Sequence, residues 1–211
     1  MKTRPDDNST FSIFNFTLLV ALCAAMGGCF DEPEPAYKSV PAENRVYMKD
    51  AGLEKVDWSS AAFGAGESID YINLDRNKLA SVDGVEKFTG LKWLRLNENV
   101  LASLPDLKPL SRLRRIYLRD NKFTVVPETL KDLPELTDIE LSGNPINEIP
   151  SWLAEKKGLE NLSFNRTQLT ALPADLSAWK SLHALQLGEL RLSKEEMARI
   201  RKALPSVAIV F

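Results

Sequence analysis

The sequence predicts an α/β solenoid. Short parallel strands should form one concave sheet, with short helical or 3₁₀ turns on the convex side and a helix and strand closing the C-terminal end. Three observations predict it. Apolar residues recur in one fixed frame, asparagines recur at one position of that frame, and a proline-bearing apolar segment follows four of the copies. The 211 residues, 44% hydrophobic and 27% charged, can bury one continuous core and are too few for two ordinary domains plus a linker.

The frame is clearest in Leu91, Leu94, Leu96, Asn99 and Leu101, and it returns as Leu113, Ile116, Leu118, Asn121 and Phe123, then Leu136, Ile139, Leu141, Asn144 and Ile146. It also fits Ile69 to Leu79 with Asn77, Leu159 to Leu169 with Thr167, and Leu182 to Leu192 with Leu190 at the asparagine position. The residues at that position step by 22, 22, 23, 23 and 23. A degenerate first copy, Val46, Met48, Ala51 and Leu53, brings the number of repeats to seven. Alternation at period two marks a strand with one buried face. Copies that cannot bury that face alone must stack. Asn77, Asn99, Asn121 and Asn144 are expected to form a structural ladder, each amide bonding the backbone of the turn that its coil makes.

These segments resemble the leucine-rich repeat consensus, and the resemblance implies a leucine-rich-repeat solenoid. The 23-residue copies carrying Leu-Pro resemble the typical bacterial and animal class, and the 22-residue copies resemble those of internalins. On the other half of each coil, Leu104 to Leu107, Val126 to Leu130, Ile149 to Leu153 and Leu172 to Leu176 lead into Leu110, Leu133 and Trp179. Spacing by three suits short helical turns. Trp58, Trp152 and Trp179 fall on this arc and read as packing residues. Ser193 with Glu196 reads as a capping box opening a helix through Ala203, followed by a final strand within residues 204–211.

The expected organisation is a signal peptide (1–28), a lipidated cysteine and flexible tether (29–41), the repeats (42–192) and a C-terminal cap (193–211). Phe16 to Met26 is an apolar run of eleven residues, where a membrane span needs roughly 20. It suits the central region of a secretory signal. Gly27, Gly28 and Cys29 resemble the lipobox of bacterial lipoproteins, in which the cysteine is lipidated and becomes the new N-terminus; Met26 departs from that pattern. An uncleaved anchor and an ordinary secretory peptide are the alternatives. Phe30 to Pro41, acidic and proline-bearing, reads as a tether. The resemblance implies a bacterial cell envelope location. Phe30 stands where an aspartate would resemble the inner-membrane retention signal, which favours the outer membrane.

Composition narrows the chemistry. A net charge of −2 and a pI near 5.6 argue against nucleic-acid binding. One histidine and two cysteines leave no usual zinc set. No G-x-S-x-G, Walker or G-x-G-x-x-G motif is present. His183 reads as a surface residue. No enzyme activity, metal or cofactor is expected.

The third, fifth and seventh positions of each frame should point out of the concave sheet. The first four copies place there Arg45, Tyr47 and Lys49; Tyr71, Asn73 and Asp75; Trp93, Arg95 and Asn97; and Arg115, Tyr117 and Arg119. The last three place Asp138, Glu140 and Ser142; Asn161, Ser163 and Asn165; and Ala184, Gln186 and Gly188. Tyr, Trp and Arg are enriched at interface hot spots. Arg45, Tyr47, Tyr71, Trp93, Arg95, Arg115, Tyr117 and Arg119 are therefore the candidate partner-binding residues, with Arg95 expected on an exposed face. The bland alternative is mutual satisfaction, with Arg stacked on aromatics and Arg115 paired with Asp138. The expected function is a monomeric, noncatalytic binding module for a protein bearing carboxylates, or for an acidic glycan. A structural envelope spacer and an accessory or inhibitor of an envelope enzyme are the other readings.

Overall fold

The computed structural model describes residues 44–59, 63 and 66–211. The expected signal peptide, Cys29 and the tether lie outside the described residues. Among the described residues, no helix is long and apolar enough to cross a membrane.

Eight strands form one sheet in sequence order: β1 (Arg45–Tyr47), β2 (Tyr71–Asn73), β3 (Trp93–Arg95), β4 (Arg115–Tyr117), β5 (Asp138–Glu140), β6 (Asn161–Ser163), β7 (Ala184–Gln186) and β8 (Ala208–Val210). Every pair is parallel, and the central residues Val46, Ile72, Leu94, Ile116, Ile139, Leu162, Leu185 and Ile209 lie in register. Each of β1 to β7 begins at the third position of its repeat frame, so the sequence frame and the sheet register coincide. From Ile72 to Leu185 these central side chains are buried, and they form one edge of a core running the length of the solenoid.

The convex side is built from short pieces. The 3₁₀ turns Val85–Lys87, Glu128–Leu130 and Ser177–Ser181, and the helix α1 (Ser151–Glu155), occupy four of the coils. The coil from Leu104 to Leu110 has no helical element, contrary to the expectation for that segment. Its proline segment is one residue shorter than the next, with Leu107 three residues after Leu104 where Leu130 lies four after Val126. It is instead tied to its neighbour by Leu107 N–H donating to Thr129 Oγ1 at 2.7 Å. Trp179 is fully buried, and its indole N–H donates to Leu153 O at 2.9 Å. Trp58 packs against Phe63 and Phe88 with centroids 5.2 and 5.4 Å away.

Helix α2 (Lys194–Ala203) covers the last coil. Half of the expected capping box forms, with Glu196 N–H donating to Ser193 Oγ at 3.1 Å. The Glu196 carboxylate turns instead to Leu172 N–H and to Arg199, which holds it below its ordinary value. Arg199 also donates to the carbonyls of Leu172, Pro173 and Ala174. One ion pair thus stitches the cap to the preceding coil.

Each coil must leave its strand without stranding peptide groups in the core. The four ladder asparagines meet this demand. Asn121 Oδ1 accepts Leu101 N–H at 3.0 Å, while its amide nitrogen donates to Leu96 O, Leu118 O and Arg119 O. Asn99 and Asn144 repeat the pattern one coil away, with Leu79 and Phe123 as donors. Asn77 accepts from both Ala51 and Leu53 and so holds the degenerate first coil. Thr167 keeps a single bond of this kind, to Phe164 O at 2.8 Å.

The residue before each ladder position lies in the left-handed region in all seven repeats: Asp50, Arg76, Glu98, Asp120, Gly143, Arg166 and Glu189, with φ between 52° and 69°. Six of these are not glycine, although L-residues pay a steric penalty there. Gly143 is required for a second reason. A Cβ on it would lie 1.9 Å from Asp120 Oδ1, and Arg166 reaches across it to that same oxygen at 3.2 Å.

Asn121→Ala should therefore cost about 1–3 kcal/mol, because buried carbonyls and an amide lose their partner together. Thr167→Ala, which removes one bond, should cost less. Denaturant melts of both variants compare them directly, and equal losses would remove the ladder from its role.

Candidate functional site

The concave face is assembled from the outward positions of successive strands, which lie about 4.8 Å apart. At that spacing long side chains of one row lie against each other. Tyr47 and Tyr71 stack at 5.2 Å, and Tyr71 and Trp93 at 6.0 Å. The Arg115 guanidinium sits over the Trp93 ring at 4.2 Å and faces Asp138 at 3.7 Å. Asp138 also accepts from Asn161 at 2.7 Å and from the Thr137 hydroxyl. One row of third positions, Tyr71, Trp93, Arg115, Asp138 and Asn161, is therefore in contact from β2 to β6, and Tyr47, at the fifth position of β1, packs its tilted ring onto Tyr71 from the neighbouring row.

A second row runs beside it. Arg95 packs over the Tyr117 ring at 5.3 Å and grips Asp75 with Nη2 and Nε at 2.7 and 2.8 Å. Asp75 spends its other oxygen on Asn97 N–H at 2.8 Å. Burial opposes the charge on Arg95, but the Asp75 carboxylate outweighs it and keeps the guanidinium more firmly protonated than usual. Arg119 pairs with Glu98 at 2.9 Å and Asp120 at 3.6 Å.

Of the candidate partner-binding residues, Tyr71, Trp93, Arg95 and Tyr117 retain only 6–8% of their surface, while Tyr47 keeps 49%. The expectation of an exposed Arg95 is thus corrected. The position points outward, but Asp75 and Tyr117 on the adjacent strands enclose it. Arg45, Arg115 and Arg119 are half-buried, and Lys49 is exposed. The pairing of Arg115 with Asp138 forms as the mutual-satisfaction alternative anticipates.

The C-terminal half of the face is short and polar. Glu140 Oε1 accepts Ser142 N–H at 2.7 Å. The hydroxyls of Ser142 and Ser163 lie 2.7 Å apart, and Asn165 and Gln186 share a bond of 2.7 Å. Burial pushes the Glu140 carboxyl above its ordinary value, against the opposing bonds from Ser142 and Ser163 and the charge of Arg119. Nothing in the repeat pattern singles out Glu140, since a carboxylate at an outward position normally reaches water. Asn73 and Asn97 were also missed as turn-forming residues. Asn73 Oδ1 accepts Asp75 N–H at 2.9 Å and Asn97 Oδ1 accepts Arg119 N–H at 2.8 Å. They occupy different positions of the frame, the fifth and the seventh, so no repeat pattern marks them. His183 is exposed. Among the described residues, no group of three or more His, Cys, Asp or Glu is placed to hold a metal.

Comparison with known proteins agrees with this geometry. Residues 89–146 match the family model described as leucine rich repeat. An internalin of Listeria monocytogenes is 21% identical, with a TM-score of 0.54, covering 71% of this chain and 49% of its own. A leucine-rich repeat protein of Leptospira interrogans is 23% identical with a TM-score of 0.42, covering 75% of this chain and 58% of its own. The chain thus spans about half the length of these solved relatives, and the internalin likeness is one of fold. No curated protein matches the chain.

Arg95→Ala should be strongly destabilising, on the order of 3–5 kcal/mol, because it leaves the buried Asp75 carboxylate uncompensated. Adding Asp75→Asn should restore part of that loss, since the charge disappears with its partner. Thermal or denaturant melts of the two single variants and the double variant close the cycle. A loss below about 0.5 kcal/mol, typical of a surface position, would contradict the enclosed geometry.

Proposed function

We propose that this leucine-rich repeat protein is a noncatalytic protein-binding module, held at a bacterial cell envelope by a lipidated Cys29, with its concave sheet as the binding face. The observation that carries this reading is the row Tyr71, Trp93 and Arg115, in side-chain contact across successive strands, with Tyr47 packed against its Tyr71 end from the next row. A partner meeting such a row finds aromatic and guanidinium groups already fixed, so little side-chain entropy remains to be lost on binding. Tyr47, half exposed at the end of the row, and the partly exposed Arg115 are the contact points. Tyr71, Trp93, Arg95 and Tyr117 are the support that holds them.

The partner is a protein segment bearing carboxylates. Arg45, Lys49 and Arg115 line the first four strands with part of their surface exposed, whereas Arg95 is enclosed with Asp75. The internal pairing of Arg95 with Asp75 and Arg115 with Asp138 also suits a structural spacer without a dedicated ligand, and one experiment separates the readings. Tyr47→Ala and Arg115→Ala should each weaken capture of a protein partner from envelope extracts by about 2 kcal/mol, or roughly 30-fold. Variants that melt like the parent chain and capture the same proteins equally well would leave the spacer.

The anchor has its own test. One acyl chain binds membranes marginally, so stable anchoring needs a second signal, which lipoprotein-type modification supplies. Cys29→Ser should abolish metabolic labelling with fatty acid and shift the chain out of the detergent phase. Undiminished labelling would end the anchor proposal.

A further inference from the structure

We infer that the outer edge of β8 is a docking site for an extended acidic segment of a partner protein, which adds to the sheet as an antiparallel ninth strand. The site lies apart from Tyr47 and Arg115 and does not depend on the concave-face reading. Three observations carry it.

The first is unspent backbone. The ladder between β7 and β8 uses Ala208 N–H, which donates to His183 O, and Val210 O, which accepts from Leu187 N–H. Alternate residues of a strand turn their peptide groups to opposite sides, so Val207, Ile209 and Phe211 present theirs to the outer edge. Val207 N–H donates to Leu204 O. Val207 O, Ile209 N–H, Ile209 O and Phe211 N–H have no backbone partner among the described residues.

The second is side-chain character. Each of β1 to β7 places at least one polar or charged side chain on the concave face, whereas β8 places Ala208 and Val210 there. On its other face Ile209, in register with the fully buried Leu185, is only half-buried, as is Phe211. Edges that stay in water are usually blunted by charge or proline. Residues 207–211 carry neither, and β-branched and aromatic side chains gain cross-strand partners when a strand is added beside them.

The third is charge, which selects the occupant. Arg201 lies over the Phe211 ring at 4.9 Å, so its flank of α2 borders the edge. Lys194, seven residues earlier, falls on the same stripe of the helix, and both are exposed. Glu195 lies about 100° round the helix from Lys194, and Glu196 is engaged by Arg199. A second copy pairing its own β8 about a two-fold axis would bring two cationic stripes together. A strand bearing carboxylates meets opposite charge instead.

In the antiparallel arrangement one apolar residue of the segment sits opposite Ile209 and exchanges both hydrogen bonds with it. The residue two before it accepts from Phe211 N–H, and the residue two after it donates to Val207 O. Side chains at these two positions share the face of Ile209 and Phe211, so carboxylates there point toward the Arg201 stripe. The chemistry recognised is an extended acidic–x–apolar–x–acidic segment.

The test titrates the end-blocked peptide Glu-Thr-Val-Thr-Glu into the intact chain and follows the backbone amide resonances of residues 207–211, which should shift saturably. Methylating the central valine nitrogen should weaken binding about tenfold, because Ile209 O then stays unpaired. Replacing both Glu by Lys should weaken it severalfold, and raising salt from about 0.05 to 0.5 M should shrink that difference. I209P removes an outward N–H, leaves the β7 ladder in place, and should lose binding while melting near the parent chain. R201Q should bind the two peptides with nearly equal affinity. No saturable shift, indifference to the N-methyl group, or equal affinity of the parent chain for both peptides would each overturn the inference without recourse to any variant. Dimerisation of the chain alone that I209P abolishes would overturn it too, by giving the edge to a second copy. Y47A should bind the peptide as the parent does, so failure at this edge leaves the concave-face reading standing.

Discussion

Each coil of this solenoid has to end a three-residue strand, turn, and hand the chain to the convex side while every peptide group stays bonded. The buried asparagine amide makes that possible, because one side chain supplies both an acceptor and donors at a single point. Asn121 joins the end of its own strand, at Leu118 and Arg119, to Leu96 and Leu101 of the coil before. The bond is thus an inter-coil tie as much as a turn-former. It forces equal residues of successive repeats into register and so fixes the strand spacing on which the concave face depends.

That spacing has its own consequence. Side chains that leave an isolated strand for solvent are brought to about 4.8 Å from the equivalent side chains on either side. Small residues tolerate this with hydrogen bonds, as Ser142 and Ser163 do. Large ones must stack or pair, so Trp93 lies under Arg115 and Arg95 is enclosed by Tyr117 and Asp75. The same geometry that stabilises the face also rigidifies it. The surface that stays accessible belongs chiefly to groups at the margins of the rows, such as Tyr47.

The leucine frame made the strands, their order and their register legible, because burial on one face of a strand leaves a period of two that neighbouring sequence cannot disguise. The left-handed residue before each ladder position was not legible. Its occupants include Asp50, Arg76, Glu98 and Glu189, residue types with no shared preference for that conformation. Here the inter-coil bonds impose the backbone, and the residue type follows from other demands, as Gly143 does from Asp120 and Arg166. The missing convex turn between Leu104 and Leu110 was not legible in the residue count, because the preceding coil has the same three-residue spacing from Val82 to Val85 and forms a turn.

The candidate site divides along the same line. Residue types in the outward positions were legible, and so was the concentration of Arg and aromatics in the first four copies. Exposure was not, because it is a property of rows: Arg95 is enclosed only because Asp75 stands one strand before it and Tyr117 one strand after. Tyr47 differs from Tyr117 for the same reason. Both occupy the fifth position of a repeat, but among the described residues Tyr47 has a neighbouring strand on one side and Tyr117 on both. Accessibility along the face is therefore graded by place in the stack. The end of the sheet is where an aromatic can be both held by a neighbour and left open to solvent, as Tyr47 is against Tyr71.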